Sequence, residues 1–418
     1  MTLGVARSVS ATGFLSLKKK PVTPSAKGPS RQPLSDIKQL PREATDLFSP
    51  TTSLCKRNCL QNAEQGMLSP AEDAVAIEVA KGFTPLIELT RSGSASAKEQ
   101  AAAGLKQMAR QDDGQVAIAA AGGIAPLVEL TRSGTASAKE QAAGALANVA
   151  FNNDANGMAI AAAGGIALLV EMMRSGTAGE KMNAVAALRN LAPNKAGNKD
   201  NAVAIATAGG IAPIVEQMRD GTAGAKAQAA GALANLAVTA ENKMAIASAG
   251  GIELLVELTL SGTARAKQDA GAALRNLAVD NKDNAVAIAA AGGIAPLIEM
   301  TRSGSAVAKT RAAAALRTMA LLEGNRVAIA AAGGIAPLIE MTRSGNASEK
   351  EKAVMALRNL AANKDNAVLI ASAGGIAPLI ELMRSGTVGA KKQAMEALAN
   401  LAIDNADNKA AIMAARSV

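Results

Sequence analysis

Apolar residues in this chain fall into three kinds of short run, and the runs return in the same order. Between Asp113 and Asn153 the first run, Gln115–Ala121, is short and rich in Ala and Ile. It stops at Gly122 and Gly123, and glycine readily takes the left-handed backbone that ends a helix. A second run has Pro126 in its first turn, where the missing N–H costs nothing. It carries Leu-Val-Glu-Leu as far as Arg132. Ser133, Gly134 and Thr135 make a turn. The third and longest run, from about Ala138 to Ala150, places Ala142, Ala145, Leu146 and Val149 on one helical face. The pattern predicts three helices per unit, with a face that one unit cannot bury alone and that stacked units bury together.

The unit recurs. The string AGGIAPL, or a close variant, has its first Gly at Gly122, Gly164, Gly209, Gly250, Gly292, Gly333 and Gly374, with Lys81 at the matching position of the first copy. The steps are 41, 42, 45, 41, 42, 41 and 41 residues, and the long one contains the insert Pro193–Lys199. This gives eight copies, near 71–112, 113–153, 154–197, 198–240, 241–281, 282–323, 324–364 and 365–405. A ninth begins at 406 and stops at Val418, where a second helix is due. That end predicts either a fragment of a longer protein or an apolar surface able to self-associate. Such a period predicts an all-α fold, an α-solenoid. Residues 1–70 are rich in Ser, Thr, Pro, Lys and Arg and lack the period. They read as a mostly disordered tail, with a short leading helix expected within 51–70.

Composition narrows the chemistry. Hydrophobic residues make up 49%, yet there is no Trp, Tyr or His, and the only Phe are Phe14, Phe48, Phe83 and Phe151. Ala, Leu, Ile, Val and Met must fill the core, and Ala is the best helix former. No apolar run approaches about 18 residues, so no transmembrane helix is expected. Without His the chain lacks the commonest metal ligand and the commonest neutral-pH base. Cys55 and Cys59 are too few for a disulfide framework or a four-ligand zinc site and read as free thiols. No cofactor, no metal and no enzymatic activity are expected. Net charge is +9, but residues 1–70 hold ten basic and four acidic residues, which leaves the repeats near neutral. With no Tyr or Trp to stack bases, nucleic acid is not expected as the main ligand.

A unit of about 42 residues with Gly-Gly-Ile-x-Pro-Leu-Val-Glu-Leu opening its second helix resembles the armadillo repeat family, across residues 71–418. The resemblance implies a right-handed superhelix whose third helices line a concave groove. In the importin-α and β-catenin branches that groove holds extended peptides through a ladder of Asn side chains. The matching ladder here is Asn148, Asn190, Asn235, Asn276, Asn359 and Asn400, with Gln107 and Thr318 in the first and sixth copies. A carboxamide has both donors and an acceptor, so it can pair with peptide backbone without reading sequence. Its other reading is an inter-repeat hydrogen bond that fixes packing. The importin-α branch also has a Trp four residues before each Asn. Here that position holds Ala103, Gly144, Ala186, Gly231, Ala272, Ala314, Met355 and Glu396. The slots that would clasp a basic signal are absent.

Other polar rows carry their own alternatives. Lys106, Arg189, Arg275, Arg317 and Arg358 precede ladder positions and either face acidic stretches of a ligand or form a solvated helix face. A Glu in every second helix, such as Glu129, has an Arg three residues on in seven copies. That is the spacing of an intrahelical ion pair rather than of a metal or acid–base site. The Gly-Gly junction lacks a GxxxxGK[ST] pattern and is no phosphate loop. In the tail, Lys18–Lys20 with Pro21 suits a nuclear signal, an organelle transit peptide or a plain basic tail. Thr23, Ser49 and Ser69 precede Pro and are candidate phosphorylation sites. The expected role is a non-enzymatic scaffold, cytoplasmic or nuclear, holding a segment of another protein in the groove. An import adaptor and the targeting arm of a larger enzyme, such as a ubiquitin ligase, are the alternatives.

Overall fold

The computed structural model describes residues 82–192 and 199–416. The tail, its cysteines, the basic and Ser/Thr-Pro motifs, the first helix of repeat 1 and most of the insert after Leu191 lie outside these residues. Among the described residues there are 24 helices and no strand, in the expected order of three per repeat. Repeat 2 consists of Asp112–Ala120, Ile124–Ser133 and Ala136–Val149. Ala406–Arg416 is the first helix of the partial ninth unit.

Local chemistry sets each boundary. All eight third helices begin at a Ser, Thr or Asn whose side chain accepts a hydrogen bond from the N–H three residues on, as Thr135 does from Ala138 at 3.2 Å. Such a cap satisfies one of the donors a helix start leaves orphaned. Thr177 with Glu180 and Asn346 with Glu349 complete reciprocal capping boxes. The first and second helices meet at a bend of 85° in repeat 2 and 75° in repeat 5. Gly250 sits at that bend with φ +77°, a conformation strained for any residue with a Cβ. A Cβ on the next residue, Gly251, would lie 2.8 Å from Ile246 Cγ2 and O, so close helix approach excludes one there.

The face predicted from spacing is the core. Ala142, Ala145, Leu146 and Val149 are completely buried, as are Ile118 and Leu127 from the other two helices of the repeat. Third helices of successive repeats pack on one another far more extensively than second helices do, and first helices least. Unequal spacing of that kind curves the array, with the third helices on its inner side. Among the described residues no single helix is long and apolar enough to cross a membrane.

Candidate binding groove

The inner face is built from eight third helices, and their side chains are tied from repeat to repeat. Every ladder Asn donates through Nδ2 to a carbonyl on the preceding third helix. Asn148 reaches Lys106 O, Asn190 reaches Ala147 O, Asn235 reaches Arg189 O, Asn276 reaches Ala234 O and Asn359 reaches Arg317 O, each at 2.8 Å. Asn400 reaches Arg358 O at 3.0 Å. The acceptor is always the residue just before the preceding ladder position. One N–H of each carboxamide therefore fixes packing and holds the group in one orientation with its second N–H to spare, while Oδ1 already accepts from Arg275 at Asn276 and from Arg358 at Asn359. The side chains are half-buried except Asn359, which is buried. The row breaks at Thr318, which is buried and turns its hydroxyl back onto Ala314 O. Gln107, in repeat 1, is exposed.

Four of the five basic side chains, Lys106, Arg189, Arg317 and Arg358, reach toward the positions that lack Trp. A Cβ on Gly144 would lie 2.5 Å from Lys106 Cε, and one on Gly231 would lie 2.4 Å from Arg189 Cζ. Lys106 and Arg189 thus lie across the glycines of the next repeat and reach Gln141 and Gln228 beyond, at 3.3 and 3.0 Å. Arg317 reaches Met355 Sδ at 3.8 Å, and Arg358 reaches Glu396 at 2.8 Å. Each of these partners occupies or neighbours the vacant aromatic position. Half-burial of the row, rather than full solvation, follows from this packing.

Two features escaped the sequence reading. The first is a charge cluster around Asp269, whose side chain is only 3% exposed. It accepts from Arg265 at 2.7 Å on its own helix, from Arg311 at 2.8 Å in repeat 6 and from Arg189 at 3.1 Å in repeat 3. Burial pushes the Arg189 guanidinium below its usual value. Asp269 opposes that shift, while Arg265 and Arg311 add to it. The second feature is a carboxamide row on the first helices: Asn156, Asn201, Asn242, Asn284, Asn325, Asn366 and Asn408 are all buried. Asn242, for example, donates to Leu236 O at 2.9 Å and Ala202 O at 3.2 Å. Its recurrence near the start of each first helix, within Asp-Asn-Ala-Val-Ala-Ile at 200–205 and 283–288 and within looser variants elsewhere, was the signal available.

The second-helix glutamates behave as intrahelical partners. Glu129 lies 3.6 Å from Arg132 and Glu299 lies 3.7 Å from Arg302, all well exposed. Arg343 also donates to Gly374 O of the next repeat at 3.0 Å, strapping one repeat to the next bend. Among the described residues no group of three or more His, Cys, Asp or Glu could hold a metal ion.

The Armadillo/beta-catenin-like repeat family matches the sequence at residues 111–151, 239–279 and 363–403, in phase with repeats 2, 5 and 8. The fold matches the crystal structure of an engineered protein at TM-score 0.75, with 31% identity over 90% of this chain and 91% of that one. The chain belongs to the armadillo repeat family. A designed armadillo repeat protein matches at TM-score 0.54 and 25% identity, over 56% of this chain and 99% of that one. A second engineered protein matches at 0.54 and 30%, over 56% and 96%. No curated protein matches the sequence. Armadillo solenoids are typically non-enzymatic scaffolds for protein–protein interaction, and the armadillo array described here has that architecture.

Proposed function

We propose that this armadillo array holds an extended segment of another protein along the inner face formed by its third helices. The row of oriented carboxamides supports the reading. Six carboxamides at Asn148, Asn190, Asn235, Asn276, Asn359 and Asn400 are each held by one inter-repeat bond. They need no reordering before they meet a ligand, which lowers the entropy lost on binding. The spare N–H of each carboxamide, and its O at every rung except Asn276 and Asn359, where an arginine holds it, match the C=O and N–H of a strand. Stacked helices stand about 10 Å apart, and two extended residues span about 7 Å. Curvature that draws the inner helices together lets each repeat take about two residues. The cytoplasm or nucleus is the compartment this reading assumes.

Capture of proteins from lysate by the full chain, beside a triple variant carrying Asn190→Ala, Asn235→Ala and Asn276→Ala, tests the proposal. Helicity of the variant must match the parent by circular dichroism. Partners lost from the variant alone would support groove binding. An identical set on both proteins would leave the carboxamides a packing role only.

A further inference from the structure

The inner face of repeats 5 to 7 is unevenly charged. Arg275, Arg317 and Arg358 occupy the same position on three successive third helices. Arg275 rests on Asn276 Oδ1 at 3.3 Å, and its buried Nε has no hydrogen-bond partner. Arg317 finds only a methionine sulfur. Among the described residues neither has a carboxylate within ion-pair distance. Arg358 alone has one, Glu396. Burial, then Arg275 and Arg358, hold the Arg317 guanidinium below its usual value. Six residues back along the helix that carries Arg317, about 9 Å, lies Arg311, one of three guanidiniums sharing the single carboxylate of Asp269. The two clusters together set six guanidiniums against two carboxylates.

Such an arrangement is costly when empty, because half-buried like charges repel in a medium less screening than water. Guanidinium forks bind carboxylate and phosphate oxygens in pairs. The ladder rung is also missing here: Thr318 turns inward, so repeat 6 offers charge where its neighbours offer a carboxamide.

We infer that the groove across repeats 5 to 7 binds an acidic segment of a partner protein, with one anionic side chain between Arg275 and Arg317 and another between Arg317 and Arg358. The inference rests on the groove reading and names the chemistry of its ligand. The anions are carboxylates of Asp or Glu, or phosphates on a modified residue. One guanidinium per repeat sets the acidic residues two or three apart in an extended chain. A basic signal peptide would meet like charge.

The test uses the full chain and fluorescein-labelled peptides of about nine residues, enough to span three repeats. One alternates Glu with Ala, one Gln with Ala, one Lys with Ala, and a fourth carries phosphoserine at the central acidic positions. Anisotropy titrations at low and high salt give the affinities. The Glu peptide should bind more tightly than the Gln and Lys peptides and weaken with salt. Arg317→Gln should weaken it about tenfold with no loss of melting temperature, and Arg317→Lys should lie between, since it keeps charge but not the fork. Tighter binding of the phosphoserine peptide would name phosphate as the source, and equal or weaker binding would name carboxylate. Equal affinity for Glu and Gln peptides, with Arg317→Gln silent, would overturn the inference and leave the groove reading standing. Loss in Arg317→Gln but not in an Asn276→Ala, Asn359→Ala variant would keep the inference and remove the carboxamides from binding. Absence of any peptide binding, or tighter binding of fluorescein-labelled oligo-dT titrated beside the peptides than of the Glu peptide, would overturn the inference.

Discussion

Asp269→Ala removes the one carboxylate that three guanidiniums share. The cost depends on what each arginine can do afterwards. Arg265 is 62% exposed and simply returns to water. Arg311, at 35%, can follow. Arg189 cannot, because its side chain is only 14% exposed and lies across Gly231. It would keep Gln228 as its remaining acceptor. Breaking a buried pair by removing one partner costs about 3–5 kcal/mol, chiefly from the stranded charge. With two of the three arginines free to re-solvate, the lower end applies, about 3 kcal/mol. If the array unfolds as one unit, that is a melting shift of about 4 °C. Because repeat-array stability is roughly a sum of neighbour terms, faster hydrogen exchange should concentrate in repeats 3 to 6. The chain has no Trp or Tyr, so urea unfolding is followed by circular dichroism. The double variant Asp269→Ala with Arg189→Met removes the stranded charge and should recover about 2 kcal/mol of the loss. A single-variant loss below about 1 kcal/mol, or a double variant no more stable than the single, would refute the electrostatic account.

Other outcomes follow from the same contacts. Asn284→Ala should cost about 2 kcal/mol in urea unfolding, because it strands Leu277 O, in the last turn of its helix, in a buried site and removes the tie to Lys243 O of the preceding repeat. Asn276→Ala, with one bond at a half-buried rung, should cost about 1 kcal/mol. Gly250→Ala forces an L residue to φ +77° and should destabilise by about 1–2 kcal/mol. Gly224→Ala, in the third helix of repeat 4 with no atom nearer than 3.9 Å to the new Cβ, should stabilise by about 0.5–1 kcal/mol. Asn363, at 2.6 Å, and then Arg326 hold the exposed Glu323 carboxyl below its ordinary 4.5. A depressed acid stabilises the fold above its unfolded value and loses that contribution as pH falls through the folded value. The parent should therefore exceed Glu323→Gln in melting temperature near neutrality, and the difference should vanish in acid; a pH-independent difference would contradict this.

Much of the fold was legible because it is local. The Gly pair, the Pro in the following turn and the Ser/Thr/Asn caps act within a few residues, so they mark most helix boundaries in sequence; the first helices at Asp112, Asp200 and Glu323 start without a side-chain cap. The third helix predicted from about Ala138 begins two residues earlier, at Ala136, because Thr135, the last residue of the turn, is itself the cap. The site was less legible. Periodicity named Asn148 and its equivalents but could not say which way a carboxamide faces. Val286 and Ile288 stand two residues apart in one short helix, yet Val286 is 55% exposed and Ile288 is fully buried.

The sequence by itself determined the repeat length, the three-helix unit, the face that each third helix buries and the recurrence of its polar positions. Those are properties of one repeat and of an unbroken period. Tertiary structure alone decided that each ladder Asn reaches back to the preceding repeat. It also decided that four of the five basic side chains reach toward the missing Trp slots, and that Asp269 gathers Arg189 from 80 residues upstream and Arg311 from 42 downstream. The physical reason is the stacking offset between helices. Side-chain partners across repeats depend on how far one third helix is shifted and rotated against the next, and periodicity along the chain carries no information about that.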